Sequence, residues 1–92
     1  MNDIHLNYLD LRIFTEQDAL DYCLLNSLNH DSIIELDLSY NELKDISGIR
    51  LFKNIEILWL YDNKITDISV LKYLKTFNTC ICIIIKLKIY QY

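Results

Sequence analysis

The chain has 92 residues, 52% of them apolar, with 9 basic and 13 acidic side chains and a net charge of −4. That is one domain, close to the lower size limit for a self-sufficient core. Its longest uninterrupted apolar run, Cys80 to Ile85, is six residues against the roughly twenty a bilayer span needs, and its few cations on an acidic total argue against membrane and nucleic acid as partners.

At the N-terminus, Leu6-x-x-Leu9-x-Leu11, with Ile13 continuing the alternation, predicts a strand over residues 8–13. Thr15-Glu-Gln-Asp18 then resembles a capping box with Asp in place of Glu. Ala19, Leu20, Cys23, Leu24 and Leu28 follow as an apolar stripe at helical spacing, so a helix is predicted over 16–28. Residues 1–32 read as an N-terminal capping unit of strand plus helix, set 27 residues from the next unit when counted from Leu9 to Leu36. The end of a stack needs such a cover.

From residue 33 the chain repeats itself. Segments 33–54 and 55–76 superpose at a constant offset of 22, with Leu36 on Leu58, Leu38 on Leu60, Asn41 on Asn63, Leu43 on Ile65, Asp45 on Asp67, Ile46 on Ile68 and Ile49 on Leu71. A fixed period of this length signals a solenoid, whose units bury their apolar faces only by stacking. In Glu35-Leu36-Asp37-Leu38-Ser39 the leucines alternate with polar residues, as in a strand with one buried face. Asn41 and Asn63 come where the chain turns away, and an amide there satisfies backbone groups that the turn leaves unpaired; stacked copies would form a ladder. Phe14 holds that place in the first unit. Asp45 and Asp67 precede Ile46-Ser-Gly-Ile49 and Ile68-Ser-Val-Leu71, whose apolar spacing predicts a short helical or 3₁₀ turn with the aspartate as N-cap.

Residues 77–92 break the period. Phe77-x-x-Cys80-x-Cys82 keeps the strand spacing, but Ile85 stands where asparagine is expected, and Ile85, Leu87 and Ile89 alternate with Lys86, Lys88 and Tyr90. Two readings stay open: a C-terminal edge strand over 79–91, its lysines guarding against unwanted pairing, or a degenerate, truncated third repeat. Cys80 and Cys82 occupy core slots in the 22-residue register, far in sequence from His5 and His30, so no metal and no cofactor is expected. The odd count of Cys23, Cys80 and Cys82 suits a reducing compartment. With neither a basic leader with a long apolar stretch nor an Asn-x-Ser/Thr site, a cytoplasmic location is expected.

The spacing LxxLxLxxN stands here as Ile33-Ile34-Glu35-Leu36-Asp37-Leu38-Ser39-Tyr40-Asn41 and Ile55-Glu56-Ile57-Leu58-Trp59-Leu60-Tyr61-Asp62-Asn63. It resembles the leucine-rich repeat family, and with Leu43-x-Asp45-Ile46 and Ile65-x-Asp67-Ile68 it resembles the 22-residue class that includes regulatory subunits of a protein phosphatase and the bacterial internalins. About half of the chain is covered. The resemblance implies an α/β solenoid: a short arc with parallel strands on its concave face, short helical or 3₁₀ turns on its convex side, and partners bound on the concave face. The strand residues pointing away from the core would be Glu35, Asp37 and Ser39, then Ile57, Trp59 and Tyr61, then Thr79, Ile81 and Ile83, with Tyr40 and Asp62 at the rim.

Trp59, the only tryptophan, lies at an outward slot beside Tyr61, which is the chemistry of an interface hot spot; packing on a cap or tail is the competing reading. The expected partner-binding set is Asp37, Ser39, Tyr40, Trp59, Tyr61 and Asp62, with Asn41 and Asn63 as the structural ladder. Through residue 46 there are ten acidic and two basic side chains, a balance of −8, and from 47 onward three and seven, a balance of +4. Such a split either steers a partner or is ordinary solvated surface. No phosphate loop, no GxSxG, no HExxH and no Cys with an adjacent His is present, and Asp37 and Asp62, near each other at the rim, lack a pocket beside them; no enzyme is expected. The sequence therefore favours a non-enzymatic protein-interaction module, with a degenerate or truncated fragment of a longer repeat protein as the alternative, and self-association through the C-terminal edge strand stays open.

Overall fold

The computed structural model of the protein describes residues 2–74 and a two-residue strand at 83–84. Four short strands, β1 (Asp3–His5), β2 (Glu35–Asp37), β3 (Ile57–Trp59) and β4 (Ile83–Ile84), pair in chain order as one parallel sheet. Between them run one α-helix, α1 (Glu16–Leu25), and 3₁₀ turns at His30–Ser32, Ser47–Leu51 and Ser69–Tyr73.

Alternation dictates the strands. Leu36 and Leu58 point inward and are fully buried, while their neighbours Glu35, Asp37, Ile57 and Trp59 are half-exposed on the other side. In β2 and β3 Leu36 faces Leu58, the 22-residue offset of the sequence overlay. Pairing continues past the strands, with Leu38 N–H donating to Trp59 O at 2.9 Å and Tyr40 N–H to Tyr61 O at 2.7 Å. The core is a continuous column of Ile4, Leu36 and Leu58, then Leu6, Leu38 and Leu60, closed on the far side by Phe14, Ile49, Phe52 and Leu71.

The first coil departs from the predicted register. Ile4, not Leu9, faces Leu36, so this unit lies 32 residues from the next, and residues 8–13 form no strand beyond an isolated bridge from Ile13 to Asp45. Leu9 and Ile13 are 53% and 55% exposed. The physical reason is that Ile4 and Leu6 reach the core, leaving Leu9 in the slot filled elsewhere by asparagine, where Asn41 reaches back to its backbone. In three successive coils the residue before this slot adopts a positive φ: Tyr8 at 59°, Tyr40 at 57° and Asp62 at 54°. The turn geometry itself demands that conformation, which costs a tyrosine on the order of 1 kcal/mol.

The capping box of α1 is formed, Thr15 Oγ1 accepting from Asp18 N–H at 3.2 Å and Asp18 accepting from Thr15 N–H at 3.0 Å. The helix stops at Leu25, shorter than predicted, because Ser27 turns to a φ of 54°. It lies against the turn at Ser47–Leu51 along one narrow row, so Ala19 and Cys23 are buried while Leu20, Leu24 and Leu25 of the predicted stripe region are exposed. Gly48 marks that contact: a Cβ there would collide with Thr15 O and sit 2.7 Å from Phe14 O.

The two repeat turns are 3₁₀, as the spacing predicts, but their capping is displaced by one residue. The N-cap positions are Ile46 and Ile68, without side-chain bonds, while Asp45 and Asp67 accept from Ser47 N–H at 2.8 Å and Ser69 N–H at 2.9 Å. At the C-terminal side β4 sets Ile83 opposite Leu58, an offset of 25, where the 22-residue period places Cys80. Cys80, Cys82, Thr79, Ile81, Ile85, Lys86 and Lys88, and with them the edge-strand and third-repeat readings, lie outside the described residues. No helix among the described residues is long and apolar enough to cross a membrane.

Candidate interaction surface

The outer side of the sheet presents three columns set by register: Asp3, Glu35 and Ile57; His5, Asp37 and Trp59; and, continuing the alternation, Ser39 beside Tyr61. Trp59 is half-buried. Its indole Nε1–H donates to Glu35 Oε2 at 2.9 Å, across the strand pair, and its ring meets that of Tyr61 at 5.9 Å with a 41° tilt. Glu35 thus holds the indole against the sheet, a role its outward slot hinted at but its identity did not.

The expected residues separate into three groups. Asp37, Trp59 and Tyr61 lie together on the strand face, half-exposed. Tyr40 and Asp62 are exposed at the rim, in the positive-φ column. Ser39 does not belong to the surface: it is 2% exposed, and its hydroxyl accepts from Tyr61 N–H at 3.0 Å while its own N–H donates to Asp37 Oδ1 at 2.9 Å. The correction follows from its small side chain, which folds back to serve the backbone of the next coil. Asp37 and Asp62 are three positions apart in register on adjacent coils.

Asn41 and Asn63 sit beneath this rim, 7% and 5% exposed. Asn41 Oδ1 accepts from Leu9 N–H at 2.9 Å and Leu11 N–H at 3.1 Å, and its Nδ2 donates to Leu6 O and Leu38 O at 2.9 and 3.0 Å. Asn63 Oδ1 accepts from Leu43 N–H at 3.1 Å, and its Nδ2 donates to Leu38 O at 2.9 Å and Leu60 O at 3.4 Å.

Two rim residues went unnoticed in the sequence. Tyr8 stacks on Tyr40 with ring centroids 4.7 Å apart and planes 5° from parallel, and Asp10 lines the same depression. The missed signal was the offset of 32, which lays Ile4 on Leu36, Leu6 on Leu38 and Tyr8 on Tyr40. Beside them Lys64 Nζ bonds Glu42 Oε2 at 2.9 Å, and that hydrogen bond and charge, aided by Arg12 and Lys44, hold the Glu42 carboxyl below its ordinary pKa. His5 and His30 each bond a neighbouring aspartate, Asp3 at 2.8 Å and Asp31 at 3.0 Å. Among the described residues no group of three or more His, Cys, Asp or Glu is placed to hold a metal ion.

Comparison with known proteins gives the same outline. Residues 31–73 match the family described as leucine-rich repeats in two copies. Chicken (Gallus gallus) fibromodulin is 47% identical over 45 residues, and the human and mouse (Mus musculus) fibromodulins are 42% identical over 45, each match covering 49% of this chain and 11% of the relative. The chain thus spans about a tenth of the length of these relatives. No solved structure matches it significantly.

Proposed function

With residues 31–73 a pair of leucine-rich repeats, we propose that the chain is a non-enzymatic interaction module that binds a protein partner on its strand face, the inner, concave surface of the arc. Leucine-rich repeats generally serve as protein-interaction modules rather than enzymes. The observation that carries the reading is the cluster of Trp59, Tyr61 and Asp37. Two aromatic rings in contact, with the indole fixed by Glu35, offer a rigid, partly wet apolar surface bordered by carboxylates. Such residues bind at low entropic cost because few torsions remain to be frozen. The buried, unpaired Cys23 accords with a reducing compartment, and the cytoplasm is the proposed location.

The test is a binding measurement on an identified partner with Trp59→Ala and Tyr61→Ala, each checked for an unchanged fold by circular dichroism. At least one variant is expected to weaken binding about 30-fold, the scale of a hot-spot residue. Undiminished binding by both would defeat the strand face as the interface. A second reading, a degenerate or truncated fragment of a longer repeat protein, is favoured by the 11% coverage of the relatives and by the shift from an offset of 22 to 25 at β4. Coding sequence for further 22-residue units immediately downstream, in another frame, would decide for the fragment.

A further inference from the structure

The rim of the molecule spends aromatic residues where the backbone does not want them. Tyr8 and Tyr40 occupy positive-φ turns at 59° and 57°, a conformation congenial to Asn, Asp or Gly and uncomfortable for a bulky ring. The equivalent position in the third coil is filled by Asp62 at 54°, so the turn itself does not require an aromatic. Both rings are nonetheless held at the surface, 68% and 44% exposed, stacked face to face at 4.7 Å. Tyr40 covers one face of the Tyr8 ring, and among the described residues no other ring stacks on its second, open face.

The surroundings select the ligand. Tyr8, Asp10, Tyr40, Glu42, Asp62 and Lys64 line one shallow depression of about 310 Å³. Lys64 and Glu42 neutralise each other at 2.9 Å, whereas Asp10, in the coil of Tyr8, takes part in no ion pair among the described residues. An aromatic face bordered by an unpaired carboxylate favours a flat cation: anions are repelled, a neutral ring leaves the carboxylate unmatched, and an ammonium does not stack. The same pairing occurs among the described residues, with the Arg50 guanidinium carbon 4.3 Å from the Tyr73 ring centroid. The balance of −8 over the first 46 residues attracts basic segments to the same end.

We propose that the Tyr8–Tyr40 ledge is a docking site for an arginine side chain, its guanidinium flat on the open face of Tyr8 and charge-matched by Asp10 of the same coil. That the arginine belongs to a protein partner rests on the interaction reading above; the ledge itself is tested without a partner.

The experiment is an NMR titration of the full chain with acetyl-Gly-Arg-Gly-amide, following the ring signals of Tyr8 and Tyr40, in parallel with the lysine and citrulline versions of the peptide. Saturable shifts at both rings are expected from the arginine peptide, about fivefold weaker binding from lysine, and none from uncharged, equally flat citrulline. Tyr8→Asn should abolish the response with the melting temperature little changed, since asparagine is at home at that φ. Asp10→Asn should weaken binding while leaving both rings in place. An equal response to citrulline, no response to arginine, or a Tyr8→Asn variant that still binds would overturn the proposal. Because the probe is a free peptide read at the rim, failure here leaves the Trp59 face standing, and failure of the Trp59 variants to lose a partner leaves the ledge standing.

Discussion

At Asn41 one side chain closes the hydrogen-bond accounts of two coils. It accepts from Leu9 and Leu11 N–H and donates to Leu6 and Leu38 carbonyls, all in a site where water does not compete. Asn41→Ala leaves these groups unpaired and should destabilise the protein by about 3 kcal/mol in urea unfolding. Asn41→Asp should be no milder, because a carboxylate keeps the acceptor but meets two carbonyl oxygens with no proton to give. The aspartates of the turns act through charge instead. Hydrogen bonds from Ser47 to Asp45, and from Ser69 to Asp67, favour the ionised carboxyls and lower both pKa values, as Lys64 does for Glu42. A lowered folded-state pKa means stability that is complete above the unfolded-state value and is lost as pH falls through the folded one. Acid should therefore weaken the fold below about pH 4, and Asp45→Asn should flatten that decline in melting experiments. Both asparagines and both aspartates were legible because each recurs at the same offset, whereas Tyr8 and Asp10 were not, since their coil is ten residues longer than the period that reveals the others.

Among the elements, the informative comparison is between two turns of equal length. Gly48 and Val70 are equivalent residues of the turns Ser47–Leu51 and Ser69–Tyr73. Val70 is partly buried against the core, while Gly48 has the carbonyls of Phe14 and Thr15 where its Cβ would be, and its N–H donates to Phe14 O at 2.7 Å. The difference arises because the first turn packs on the start of α1, where rigid backbone approaches, whereas among the described residues the second turn packs mainly on the first. Gly48→Val should cost about 3 kcal/mol by forcing α1 outward, against about 1–2 for Val70→Gly, and hydrogen exchange should show the loss centred on α1. The capping box announced α1 in the sequence, and the structure keeps its start at Glu16. Its outer leucines misled because helical spacing specifies a face without saying how wide a neighbour covers it; here the row of Ala19 and Cys23 is covered, with Tyr22 partly buried beside it. The strand of the first coil was misplaced for a related reason. Leu9 and Leu11 imitate the repeat spacing, and no asparagine in that coil fixes which leucines turn inward.

On the scale of the whole molecule, each coil is stable because of its neighbour. Deleting residues 1–28 removes β1, α1 and the buried Ile4, Leu6, Phe14, Ala19 and Cys23, and leaves Leu36 and Leu38 exposed with Asn41 Oδ1 stripped of its Leu9 and Leu11 donors. The remainder should lose its cooperative thermal transition, which calorimetry of the truncated chain will show or refute. The stacking order and the register of β2 on β3 could be read from residue spacing alone, since a period of 22 forces equivalent leucines into contact. The curvature-facing surface could be read only as a set of slots. Ser39 fills one of those slots and yet serves the interior, because direction along a strand says nothing about a side chain short enough to bend back to the main chain.

Among the described residues the polar stitches between coils share one polarity, apart from Ser39, whose hydroxyl serves Tyr61 of the next coil. Asn54, Trp59, Asn63 and Lys64 each reach to a group in the coil before their own, at Asp31, Glu35, Leu38 and Glu42, and Asn41 does the same toward Leu6. Damage to such a residue is consequently displaced: the lesion opens one turn upstream of the codon that was changed, and a map of weakened amides read without that shift would accuse the wrong neighbour.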